Sequence, residues 1–171
     1  MAKHKRYSLE NFTEVFRLLN EHGVEHVLCG GFACFLHGVS RVTQDLDICI
    51  RLEDENVRAF VEVAKKLGLQ TRISEPVDAL ADPLRRKAWR EEKHAVVVSL
   101  NTPERLLQVD VFLEYPVSFD ELAADMKSVD IAGTRVNISS IEHLIRAKES
   151  IDPPRKNDLF DLQELRRLLD E

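Results

Sequence analysis

The chain has 171 residues, a formal net charge of −6 and an isoelectric point near 5.6. That length suits one hydrophobic core, and that acidity argues against indiscriminate binding to nucleic acid, where phosphate neutralisation dominates affinity. Hydrophobic residues make up 44% and charged residues 32%, as in globular domains, and no apolar run approaches the roughly 18 residues of a membrane span.

The basic start, Met1 to Arg6, leads into Tyr7-Ser8-Leu9-Glu10 without the apolar stretch of a secretory signal. Cys29, Cys34 and Cys49 cannot all pair, form no Cys-x-x-Cys pattern and sit among apolar residues. A reducing cytoplasm is therefore the expected setting. Ser8 is placed to cap a helix whose apolar stripe is Leu9, Phe12, Val15, Phe16, Leu18 and Leu19, with Gly23 as its stop. A strand over 24–29 enters Gly30-Gly31, which reads as a turn, followed by a short helix over 32–37 ended by Gly38. Residues 46–52 read as a strand, 54 to about 67 as a helix, and 69–73 as a further strand.

From 74 to 92 the pattern weakens around Pro76 and Pro83, which predicts a loop with short helical turns. Residues 94–100 and 106–115 are strand-like, joined by Asn101-Thr102-Pro103. A helix over 119–126 capped by Ser118 follows, then a hairpin of 129–131 and 134–138 about Ala132-Gly133. Helices over 140–150 and 157–169 close the chain, separated by Asp152-Pro153-Pro154. The expectation is a single α+β domain over 1–171, with a mixed β-sheet flanked by helices and a helical C-terminus from about 140.

Chemistry concentrates at three carboxylates. Asp45 and Asp47, at i and i+2 on one strand, project from the same face. Asp110 lies between Val109 and Val111 within another strand, where a charge is uncommon without a partner. Like charges brought together repel unless a cation separates them, and oxygen-only ligands suit magnesium, which favours carboxylates with substrate phosphates. This pattern points to metal-dependent phosphoryl or nucleotidyl chemistry. Other features have plainer explanations. The six histidines show no metal spacing, and His37 and His94 are expected to be ordinary satisfied side chains. Trp89 is expected to be a packing anchor rather than a base-stacking residue. Two local basic groups stand out: Arg85, Arg86, Lys87, Arg90 and Lys93, and Arg146, Lys148, Arg155 and Lys156.

The segment Leu28-Cys29-Gly30-Gly31, a thirteen-residue spacer (32–44), Asp45-Leu46-Asp47-Ile48 and the later Val109-Asp110-Val111-Phe112 resembles the nucleotidyltransferase superfamily, with the fold of the DNA polymerase beta catalytic domain. The run Arg41-x-Thr43-x-Asp45 resembles small bacterial members, the AbiEii-type toxins and their relatives. Leu144-Ile145-x-x-Lys148 with Arg155, Asp158 and Asp161 resembles a late lysine and acid motif of those relatives, although Asn157 stands where many carry a basic residue.

The resemblance implies transfer of an NMP from an NTP to a hydroxyl acceptor, whether an RNA end, a protein or a small molecule. It implies that Asp45, Asp47 and Asp110 are catalytic and hold one or two Mg2+ ions. Gly30, Gly31, Arg41, Thr43 and Lys148 would bind the triphosphate. Asp158 and Asp161 are expected to act mainly as helix-start acids that complement the dipole. The alternative is a non-catalytic binding protein of the same fold, or one component of a toxin–antitoxin system with an antitoxin-like partner. A two-metal hydrolase would usually add histidine ligands, and none is evident beside these acids.

Overall fold

The computed structural model describes residues 8–171. Ser8 accepts a hydrogen bond from Asn11 N–H and starts α1 (Leu9–Glu21), as its sequence predicts. Then follow β1 (His26–Cys29), α2 (Gly30–His37), β2 (Asp45–Ile50), α3 (Asp54–Lys66) and β3 (Gln70–Thr71). A 3-10 turn (Val77–Ala81) and α4 (Pro83–Lys93) lead to β4 (Val97–Asn101) and β5 (Gln108–Phe112). The remainder is α5 (Phe119–Asp125), β6 (Lys127–Ile131), β7 (Thr134–Ile138), α6 (Ile141–Glu149) and α7 (Lys156–Asp170).

Four local readings need correction. Gly30 and Gly31 are not a separate turn before the helix; they are the first two residues of α2. The stretch read as a loop contains an eleven-residue helix, α4, because Pro83 occupies its first turn, where proline forfeits no hydrogen bond, and Asp82 caps it by accepting from Leu84 N–H. Trp89 on that helix is 2% exposed and does anchor the core. Arg86 beside it is buried too, donating to Leu80 O and Asp54, so this basic group is not a continuous surface patch. The strand expected over 69–73 shrinks to two paired residues.

The strands form one mixed seven-stranded sheet in the order β3-β4-β5-β2-β1-β7-β6. β2 runs parallel to β5 and β1 parallel to β7, while the remaining neighbours are antiparallel. Strand alternation assigns the faces. Leu28, Leu46, Ile48, Val98, Leu100, Val109, Val111, Val136 and Ile138 enter the main core with Phe12, Phe16 and Leu19 of α1 and Phe60 and Val61 of α3. The intervening residues point the other way. There Val27, Cys29 and Cys49 make a smaller core with Leu122 of α5, Val117, Phe112 and Tyr115. The rest of that second face bears the functional residues.

Leu46 is fully buried in the central strand, between the two aspartates. Leu46→Ala is expected to cost about 2–5 kcal/mol. In a chain of this size each kcal/mol lowers Tm by roughly 2–4 °C. Thermal and urea melts measure it, and a loss below about 1 kcal/mol would show that this strand does not carry the core.

Candidate functional site

The pairing of β2 with β5 aligns Asp47 with Asp110 and Asp45 with Gln108. Strands so paired lie about 4.8 Å apart and their opposed residues share a face. All three carboxylates therefore meet on the second face, and none is fully buried. Burial, followed by the charges of Asp110 and Asp45, pushes the Asp47 carboxyl up to about 7. Asp45 is also raised, by burial and then by Asp110. Gln108 Nε2 donates to both Asp110 oxygens, at 3.2 and 3.3 Å, and fixes that carboxylate.

Gly30 has φ +61°, a conformation costly to any other residue. A methyl group there would come within 1.9 Å of Asp47 Oδ2. At Gly31 it would lie 2.5 Å from Arg41 Nη2 and 2.9 Å from Thr43 Oγ1. The two glycines thus bring the start of α2 against Asp47 on one side and against Arg41 and Thr43 on the other. Gly30, Gly31, Arg41, Thr43, Asp45, Asp47, Asp110 and Lys148, the residues expected to be catalytic or to bind metal and triphosphate, line one cleft of about 1050 Å3.

Sequence reasoning underrated the far wall of this cleft. Asp161 is fully buried and accepts a two-pronged bond from Arg41, Nε at 2.7 Å and Nη2 at 2.9 Å, while Lys148 Nζ lies 2.7 Å from its Oδ2. Asp158 is 1% exposed, 3.3 Å from Lys148 Nζ and 2.7 Å from Arg155 Nε. Burial opposes its ionisation, but the Arg155 hydrogen bonds and the Lys148 charge prevail and hold its pKa below the ordinary carboxylate value. Asp158 does cap α7 through Arg155 N–H, as expected of a helix-start acid. Asp161 does not behave as an exposed dipole acid; it is the counter-ion joining α2's following loop to α6. The three cations Arg41, Lys148 and Arg155 outnumber the two buried acids, so this wall keeps an excess positive charge facing the aspartates.

The fourth side is apolar and aromatic: Phe112, Tyr115, Pro116, Val96 and Val97, with Glu114 at the rim. The Tyr115 ring packs edge-on to Phe112 at 4.9 Å. Burial, then the neighbouring Cys29 and Cys49, drive the Tyr115 hydroxyl well above its usual pKa, so it stays neutral. His37 Nε2 is satisfied by Ser139 O at 2.7 Å, outside this cleft, and His94 is an exposed helix cap.

A hard cation fits the donor set. Three carboxylates supply only oxygen, and the burial that chiefly raises the Asp47 pKa, with the lesser repulsion from Asp110 and Asp45, is the kind of cost a divalent ion would offset. Among the described residues, no three Asp, Glu, His or Cys side chains form a ready-made metal cluster. The aspartates thus offer one side of a coordination shell, the form in which magnesium takes its remaining ligands from phosphate and water.

No protein-family model and no curated protein matches the chain by sequence. Solved structures do match. The lincosamide antibiotic adenylyltransferase LnuA, lincomycin-bound, superimposes with a TM-score of 0.62 at 12% identity, over 95% of this chain and 99% of that one. The antibiotic-resistance factor ANT(2'')-Ia gives 0.60 at 13% identity, over 94% and 83%. An antigenic nucleotidyltransferase-like protein from Paracoccidioides brasiliensis gives 0.54 at 16% identity, over 94% and 76%. The chain has the nucleotidyltransferase fold.

The Asp47 shift has a measurable consequence. Its carboxyl is raised from 3.8 to about 7 on folding, so its favourable contribution is full below 3.8 and lost as pH rises through 7. In EDTA, Asp47→Asn is expected to melt several degrees above the wild type at pH 8, with the gain shrinking towards zero near pH 4. A gain that is the same at every pH would show that the carboxylates do not strain this site.

Proposed function

We propose that the chain is a magnesium-dependent nucleotidyltransferase that moves an NMP from an NTP to a hydroxyl acceptor. The observation that carries this reading is the in-register pairing of Asp47 with Asp110, beside Asp45, at a cleft whose adjoining wall is the glycine start of α2. The fold, shared with LnuA and ANT(2'')-Ia, supports it.

In this reading Asp45, Asp47 and Asp110 hold one or two magnesium ions. Bound magnesium would offset phosphate charge and make the acceptor hydroxyl more acidic. The chain's own groups do the rest. The first N–H groups of α2, unobstructed at Gly30 and Gly31, receive phosphate oxygens at the positive end of the helix. Arg41, Thr43 and Lys148 face the same stretch. Two Lys148 N–H groups are engaged by Asp158 and Asp161, which leaves a third for the triphosphate. Lys148 is 7% exposed, so its charge is little screened by water.

The acceptor oxygen attacks the α-phosphorus and forms the new P–O bond. The bond from that phosphorus to the α–β bridging oxygen breaks, and pyrophosphate leaves with the electron pair. Asp110, steadied by Gln108, takes the hydroxyl proton and passes it to solvent. The acceptor hydroxyl belongs to an RNA end, a protein or a small molecule.

Incubation with ATP, CTP, GTP and UTP labelled at the α-phosphate, together with cell RNA and lysate, tests the activity. Magnesium-dependent label transfer is expected, and Asp47→Asn and Asp110→Asn should each reduce it at least about 100-fold. Undiminished transfer in Asp110→Asn would refute its role as base and ligand. Nucleotide binding with no transfer to any acceptor would make the chain a binding protein of this fold, the case in which an antitoxin-like partner would enter.

A further inference from the structure

The row of cations on the cleft's far wall does not end at Lys148. Asp161 joins Arg41 to Lys148, and Asp158 joins Lys148 to Arg155, so three cations and two buried acids alternate along the wall. The side chains of Arg41 and Lys148 are 18% and 8% exposed, whereas that of Arg155 is 74% exposed. Arg155 lines the same cleft as the three aspartates.

An exposed arginine ordinarily has many rotamers open to it. This one is tied at its root and open at its tip. Its backbone N–H donates to Asp158 Oδ2 at 3.2 Å, Nε to the same oxygen at 2.7 Å, and Nη2 to Oδ1 at 3.1 Å. Asp158 is buried and also paired with Lys148, so the anchor is fixed from a second side. Two of the five guanidinium N–H groups are thereby engaged and three remain, with Nη1 unpartnered among the described residues. The charge reaches the opposite wall. Burial chiefly raises the Asp47 carboxyl, and Lys148 and then Arg155 act against that rise.

The free edge of a guanidinium is a flat fork that matches two oxygens of a phosphate. Both acids of this wall, Asp158 and Asp161, are already spent on the row, so an incoming anion meets no unpaired carboxylate there. Arg155 is also the cap residue of the fifteen-residue α7, whose positive end adds to the same field, and Lys156 and Asn157 of its first turn line the cleft. Lys148, with one N–H to spare, cannot alone satisfy several phosphate oxygens. In the transfer scheme the α-phosphate lies at the aspartates, which leaves the cation row for the phosphates beyond it.

We propose that Arg155 is a phosphate ligand of the donor, holding oxygens of the β- and γ-phosphates beside Lys148 and keeping them as pyrophosphate departs. Asp158 is then the positioning residue that presents Arg155 to the cleft. The inference rests on the transfer reading above, and the bonds made and broken are those already written.

Calorimetric titration in magnesium with inorganic tripolyphosphate, ATP and AMP tests it without turnover. Arg155→Ala should weaken tripolyphosphate and ATP about tenfold to a hundredfold and spare AMP, which has no β- or γ-phosphate. Arg155→Gln, which keeps a donor for Asp158 but loses the charge, should act in the same direction and serves if Arg155→Ala melts early. Equal losses for AMP and ATP would mark a purely structural role and overturn the proposal, as would undiminished tripolyphosphate affinity in a folded variant. If the wild type binds neither ATP nor tripolyphosphate, the donor reading itself fails and this one with it. Wild-type binding that the variants share overturns the role of Arg155 alone.

Discussion

Three carboxyl groups are forced together because two strands that are far apart in sequence run parallel and in register. Asp47 and Asp110 cannot separate without unzipping β2 from β5, and those strands carry Leu46, Ile48, Val109 and Val111 into the main core on their other face. The hydrophobic face therefore holds the polar face in an electrostatically unfavourable state. Core burial stabilises by about 25 cal/mol for each Å2 of apolar surface, and this offsets a repulsion that would otherwise push the carboxylates apart. The rest of the site is arranged around that stress: a glycine where Asp47 needs room, a glutamine that fixes Asp110, and an aromatic wall that keeps water from one side.

The opposite wall solves the reverse problem. Arg41, Lys148 and Arg155 would repel one another if left alone, and Asp158 and Asp161 are buried among them. Buried ion pairs contribute little net stability, because desolvation consumes most of the attraction. What this network supplies is placement. Asp161 holds Arg41 against Gly31 and Lys148 at the cleft.

Much of this was readable in the sequence where the signal is local. Ser8 and Ser118 cap helices at the residues where a hydroxyl precedes an apolar stripe. Ala132 and Gly133 both take positive φ, as a two-residue hairpin turn demands. The period-two pattern around Asp45, Asp47 and Asp110 disclosed which residues would share a face. Helix α4 is hidden because Pro76, Pro83 and a charged stretch weaken its periodicity, although Pro83 sits at a first-turn position that tolerates it. The buried pairing of Asp161 is hidden for a different reason. Its partner Arg41 is 120 residues away, so nothing near it in the chain distinguishes it from an exposed helix acid.

The link between Arg41 and Asp161 also bears on when the cleft comes into being during synthesis. A nascent polypeptide that has emerged from the ribosome as far as β5 already possesses both aspartate strands, yet Arg41 then has no counter-ion and Lys148 does not yet exist. The cationic wall opposite the aspartates is completed only when the last helix docks. Until that moment the growing chain carries the clustered acids and Arg41 without Lys148 or Asp161 to complete the opposing wall.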